Sequence, residues 1–147
     1  MRRMSIFAEH TLLLHLGDGG MGTVWLARDP AGGRVALKTL KAEPAKDPRV
    51  RQMFAKEMRI AAAIRHANVA TVVASGADAG VPYLVMEWID GLSVRALGRS
   101  AARRGGVPLG VALRIVHDAC AGLHAAHELC DARGGRQGHR LRRREGA

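Results

Sequence analysis

The stretch Leu16-Gly17-Asp18-Gly19-Gly20-Met21-Gly22-Thr23-Val24 constrains this chain more than any other. Gly17, Gly19 and Gly22 fall at the spacing G-x-G-x-x-G between two apolar, strand-forming runs, Thr11 to Leu16 and Thr23 to Ala27, so the loop reads as the tip of a hairpin. Glycine lets backbone approach a bulky anion closely and adopt positive φ without a Cβ clash. A dinucleotide-binding fold needs a helix directly after the third glycine. Here Val24-Trp25-Leu26 follows, which favours a strand. Taken alone, the loop is equally consistent with a glycine-rich turn that holds no ligand.

The next breaker-rich segment, Asp29-Pro30-Ala31-Gly32-Gly33, is a turn, and Arg34 to Leu40 is a third strand. Period-two alternation puts Ala36, Lys38 and Leu40 on one face. A lysine between two apolar neighbours implies either that this face meets solvent or that the ammonium has a dedicated anionic partner. The following helix offers one. Asp47 suits its N-cap and Pro48 its first position, and Val50, Met53, Phe54, Ile60, Ala61 and Ile64 recur as an apolar stripe. Glu57 falls on that stripe, where a carboxylate is costly unless it meets a cation, and Lys38 is the candidate. The alternative places Glu57 at the edge of the stripe, reaching water.

Asn68 to Ala74 reads as a fourth strand, Ser75 to Gly80 as a turn, and Val81 to Trp88 as a fifth strand. Leu92 to Ala102 is a short helix, 103–106 a linker, and a long helix starts at Val107-Pro108 and runs through Leu129. Its expected buried stripe is Ala112, Ile115, Val116, Ala119, Cys120, Leu123 and Ala126. The architecture is therefore α+β, a five-stranded antiparallel sheet with one inserted helix followed by two helices. Residues 1–10 form a leader with no assigned structure, and 130–147 are expected to be a disordered basic tail.

Composition narrows the function classes. With 48% hydrophobic and 24% charged residues, a chain of 147 residues is globular for most of its length. The formal charge of +10 invites a nucleic-acid reading, but residues 95–104 and 131–147 carry +4 each and leave only +2 to the rest. Neither basic segment has aromatic residues on which bases could stack, so no specific nucleic-acid partner is expected. No apolar run is long enough to span a bilayer, Met1-Arg2-Arg3-Met4 begins no secretion signal, and the two cysteines suggest no disulfide framework. A cytoplasmic location is the expectation.

These elements in this order resemble the N-terminal half of a bacterial serine/threonine protein kinase of the eukaryotic type. The motifs are L-G-D-G-G-M-G-T-V at 16–24, V-A-L-K at 35–38, Glu57 in the following helix, H-A-N-V at 66–69 and Y-L-V-M-E-W-I at 83–89. The resemblance covers roughly residues 11–129 and implies a kinase N-lobe over 11–90 and two helices of a partial C-lobe over 91–129. It further implies that Gly17, Asp18, Gly19, Gly20, Met21, Gly22 and Thr23 cover the phosphates of ATP, while Lys38 contacts the α- and β-phosphates and Glu57 holds that lysine. Leu16, Val24 and Ala36 would wall the adenine pocket, with Met86 at its back and Glu87 and Ile89 offering hinge backbone groups. The implied partners are ATP and a protein substrate or another kinase domain.

The departures matter equally. His139-Arg140 is followed by Leu141, so no carboxylate stands where the family's catalytic base would be, and neither Asp-Phe-Gly nor Ala-Pro-Glu occurs. The expectation is a truncated or frameshifted kinase that binds ATP without catalysing transfer by itself, with Mg²⁺ expected only alongside a complete C-lobe. A non-catalytic nucleotide-binding or interaction module is the alternative. Cys120, His124, His127 and Cys130 mimic zinc spacing, but one straight helix spreads four ligands over about 15 Å, so no metal site is expected. Cys120 is instead expected to be a small buried hydrophobe. His117 and Asp118 have no nucleophile pattern beside them, so a hydrolytic triad is not supported.

Overall fold

The computed structural model describes residues 5–141, with side chains described through Leu129. It divides into two units, residues 1–64 with 70–88, and residues 65–69 with 89–147.

The first unit is a six-stranded antiparallel sheet with two helices. Its strands are β1 (Ser5–Phe7), β2 (His10–Asp18), β3 (Gly22–Arg28), β4 (Arg34–Leu40), β5 (Val72–Asp78) and β6 (Val81–Glu87), in the spatial order β1-β2-β3-β4-β6-β5. All five expected strands are present. A sixth, β1, lies in the stretch taken as a leader, where Ser5, Ile6 and Phe7 pair with Leu12, Thr11 and His10. Three residues carry too little alternation to signal a strand. The fourth expected strand begins later and runs through Ser75 and Gly76, because those residues pair with Leu84 and Tyr83 of β6. The turn shrinks to Ala79-Gly80.

Alternation along β4 assigns its side chains to two cores. Leu40 faces a cluster made with Phe54, Met58, Val72, Leu84 and Ala45, whereas Val35 and Leu37 face a second with Ala27 and Val85. Helix α1 (Ala42–Lys46) was not legible in the sequence, being a single turn. Helix α2 (Pro48–Ala61) begins as expected, with Asp47 accepting from the Arg49 N–H at 2.8 Å and Pro48 in the first turn. Its buried line is rotated from the predicted stripe. Phe54 and Met58 are buried, Met53 is exposed, and Ile64 lies beyond the helix end. Met58 wins over Met53 because it follows Phe54 by four residues and so stacks on the same face.

The sheet curls until its two edges meet. The Ala8 N–H, in the β1–β2 turn, donates to the Asp78 carboxylate at the end of β5 at 2.9 Å. Phe7 packs edge-on against Tyr83 with centroids 5.8 Å apart.

In the second unit, α3 (Val94–Ala102) is capped by Ser93, and α4 runs Leu109–Leu141. The backbone helix thus continues past Leu129, where the sequence placed its end, since no proline or cap residue stops it there. The backbone of 130–141 is helical rather than disordered as expected, and residues 142–147 lie outside the described residues. The packed line of α4 also differs from the prediction. Gly122 is buried, whereas Val116, Cys120 and Leu123 are exposed. The face is chosen by the 65–69 segment, whose Asn68 Nδ2 donates to the Asp118 carbonyl at 3.0 Å. A Cβ on Gly122 would stand 3.0 Å from the Asn68 carbonyl oxygen. No helix among the described residues is long and apolar enough to cross a membrane.

The β5–β6 hairpin carries removable strain. Ala79 and Gly80 have φ of 47° and 78°, the two-residue turn with both central residues left-handed. Alanine there costs about 1 kcal/mol that asparagine largely avoids. Ala79→Asn should therefore stabilise the chain by roughly 0.5–1 kcal/mol, read as a higher urea midpoint. An unchanged or lower midpoint would count against this assignment of the turn.

Candidate functional site

The glycine loop spans the end of β2 and the start of β3. Sequence reasoning gave its glycines two uses, and only close approach applies: none of Gly17, Gly19, Gly20 or Gly22 has positive φ. Gly22 lies so near β4 that a Cβ on it would stand 2.6 Å from the Thr39 carbonyl oxygen and 3.8 Å from Cε of Lys38. The Gly19 N–H donates to the Gly22 carbonyl at 2.7 Å, which tightens the tip. The surroundings of Gly17 and Gly20 are open, with nothing within 4 Å of where a side chain would begin. The Lys41 N–H, just after β4, donates to the Met21 carbonyl at 3.1 Å. So the loop is tethered at its base and open along its outer backbone.

Asp18 supplies a second tether. Its carboxylate accepts from the Thr23 hydroxyl at 2.9 Å and lies 3.1 Å from His15 Nε2 and 3.4 Å from Lys41 Nζ. The Thr23 hydrogen bond, above all, with the charges of Lys41 and His15, holds this carboxyl below its ordinary range. His15 in turn packs edge-on against Trp25. Neither His15 nor Lys41 was legible as part of the loop. Lys41 is brought to its base by the β4 exit, far from Asp18 in sequence, and His15 reaches it from three residues earlier in β2.

Strand register assembles the rest. Lys38 pairs with Val24 on one side and Leu84 on the other, and Ala36 pairs with Leu26 and Met86. Directly opposed residues share a face, so Val24, Ala36, Lys38 and Met86 lie on the α2 side of the sheet. There the Lys38 ammonium donates to Glu57 Oε1 at 2.8 Å. Of the two readings of Glu57, the structure combines both: it pairs with the lysine, and its side chain remains 52% exposed. An ion pair this open to water contributes no more than about 1 kcal/mol. The ammonium also sits 5.4 Å from the ring centroid of Phe54, a residue only 1% exposed.

Leu16 is an exposed residue of β2. Glu87 closes β6 by a reciprocal tie, its N–H donating to the Thr71 carbonyl at 2.9 Å and its carboxylate accepting from the Thr71 N–H at 2.7 Å. Ile89 is exposed and belongs to the second unit.

Among the described residues no group of three or more His, Cys, Asp or Glu is gathered for a metal ion. Cys120, expected to be buried, is exposed because the described contacts of α4 fall on its Asp118–Gly122 line. His117 and Arg114 both bond Asp118, at 3.1 and 2.8 Å, and lower its carboxyl through those hydrogen bonds, Arg114 first.

Two tests follow from the loop. Gly22→Ala forces its methyl into the backbone of Thr39 and should destabilise the chain by about 1–3 kcal/mol, whereas Gly20→Ala should be near neutral. Equal denaturation midpoints for the two variants would contradict the close approach. For Asp18, a depressed folded-state pKa means its contribution to stability is present above the unfolded value, near 3.8, and is lost as pH falls through the folded value. Asp18→Asn should therefore flatten the fall in stability below about pH 4 and lower the plateau above it by a constant amount, as read by denaturation at successive pH.

Known protein kinases resemble this chain in sequence and fold. The protein kinase domain family matches residues 11–130. The serine/threonine-protein kinase PksC of Streptomyces coelicolor is 35% identical over 120 residues, covering 78% of this chain and 22% of PksC. The serine/threonine-protein kinase PknB of Mycobacterium leprae is 40% identical over 118 residues, covering 77% of this chain and 18% of PknB. The crystal structure of the Mycobacterium tuberculosis PknI kinase domain matches with a TM-score of 0.65 at 30% identity, over 87% of this chain and 52% of that one. This chain therefore spans about a fifth of the length of those curated relatives and about half of that kinase domain. The fold and the matched residues together show that the chain belongs to the protein kinase domain family and corresponds to part of such a domain.

Proposed function

We propose that this chain is the ATP-holding portion of a serine/threonine protein kinase. The single observation that carries the reading is the Lys38–Glu57 contact of 2.8 Å beneath a glycine loop whose Gly22 stands against that same lysine. An ammonium has three N–H donors, and Glu57 takes one, so two remain for phosphate oxygens. The open outer backbone of Gly17 and Gly20 leaves room for a triphosphate to approach amide groups directly. Val24, Ala36 and Met86, on the same face as Lys38, supply apolar surface for a purine. The relatives' names support serine or threonine hydroxyls of a protein substrate as the ultimate acceptor.

Holding ATP and transferring its phosphate are separable tasks. Transfer needs a carboxylate base and side chains that position Mg²⁺, and the sequence contains no His-Arg-Asp or Asp-Phe-Gly motif to supply them. On this reading the chain binds nucleotide and depends on residues elsewhere for the chemistry.

Calorimetric titration of the purified chain with Mg-ATP tests the reading. Saturable binding is expected, with Lys38→Met weakening it roughly tenfold or more, the cost of losing a charge-assisted contact to phosphate. A wild-type titration with no heat of binding, or a Lys38→Met variant that binds as tightly, would overturn it.

A further inference from the structure

We propose that Phe54 is a positioning residue for Lys38, its ring face holding the lysine ammonium at the phosphate end of the site independently of Glu57. This deepens the nucleotide reading above and rests on it for its affinity consequence. The geometry is that of a cation over an aromatic face: Nζ of Lys38 lies over the Phe54 ring, 5.4 Å from the centroid, inside the range of about 6 Å at which the ring quadrupole attracts a cation. The two partners of the lysine differ in how firmly they are held. Glu57 is half-exposed and screened by water, whereas Phe54 is 1% exposed and packed among Leu40, Met58, Val72 and Leu84. The ring therefore stays in place when the carboxylate swings into solvent.

The ring also acts in a way that a second carboxylate could not. A carboxylate takes N–H donors, whereas a ring attracts the cation as a whole and leaves those donors free for phosphate oxygens. Phe54 and Glu57 lie three residues apart on α2, so they sit on one helix face and reach the same ammonium from neighbouring positions. Any shift of α2 along the sheet moves both partners together.

The test replaces Phe54 in the full chain by mono-, tri- and pentafluorophenylalanine, which keep the shape of the ring and progressively empty its face. Two quantities are read. Without nucleotide, the ε-methylene protons of Lys38, assigned by their loss in Lys38→Met, should be shifted upfield by the ring in a ¹³C-edited NMR spectrum. That shift should survive in Glu57→Gln. With nucleotide, ATP affinity should fall stepwise across the fluorinated series, by roughly threefold to thirtyfold at full fluorination. Phe54→Leu, if it folds, should lose the upfield signal. A Lys38 signal at the position of a solvated lysine, its disappearance in Glu57→Gln, or an affinity that stays flat across the series would each overturn the inference. Should the wild type bind no ATP at all, the nucleotide reading falls, and the spectrum without nucleotide still decides the placement of Lys38 by Phe54.

Discussion

A positive charge on the inner side of a sheet must be given partners, and the first unit is organised around meeting that demand. Lys38 shares its face of β4 with Ala36 and Leu40, and Leu40 belongs to the cluster that packs against α2. An ammonium left alone there would keep only part of its hydration, since the lysine side chain is 28% exposed. Helix α2 answers with a carboxylate at 2.8 Å and an aromatic face at 5.4 Å, both on the turn that also delivers Met58 to the core. Packing and polar geometry are therefore set by one helix, and the orientation that buries Phe54 also aims Glu57.

The glycine loop is the opposite kind of element, held at its base and free along its back. Its tethers are Gly22 against Thr39, Met21 to the Lys41 N–H, and Asp18 to Thr23 and Lys41. Asp18–Thr23 joins β2 to β3, and the others reach β4 or its exit, where strand pairing with β3 is continuous from Gly22↔Leu40 onward. The β2 side is looser, with register shifts between Leu12 and Leu14 and between His15 and Gly17. Bulges of this kind increase local twist and bend a strand, which helps the sheet to curl until the Ala8 N–H meets Asp78. The ladder thus acts as a fixed wall and the loop as a flap hung from it.

In the second unit the decisive contact is made by a loop. Asn68 and Val69 lie against Gly122 of α4, and the Asn68 amide is bonded to the Asp118 carbonyl. A side chain at 122 would stand within 3.0 Å of main chain, so the small residue admits the segment. That contact selects which face of α4 is covered and leaves Leu109, Leu113, Val116 and Leu123 exposed. Apolar periodicity alone favoured the Val116–Cys120–Leu123 line, since it is the richer in hydrophobic area.

What was legible in the sequence was whatever follows from local period and local chemistry. The hairpin around Gly17 to Gly22, the alternation that separates Lys38 from Leu37, and the Asp47-Pro48 start of α2 each depend on residues within a few positions of one another, and each appears as read. The pairing of Lys38 with Glu57 was also within reach, because a charge on each of two apolar faces is a demand that only an opposite charge can meet. The tertiary structure alone decided the rest: β1 in the leader, Met58 in place of Met53, the open face of α4, the Lys41 and His15 ties to Asp18, and the ring beneath the lysine. Met58, the α4 face, the Lys41 tie and the ring depend on which surface arrives from elsewhere in the chain, whereas β1 and the His15 tie are local pairings too short to carry a period. Periodicity records only that a face is apolar, never what will cover it.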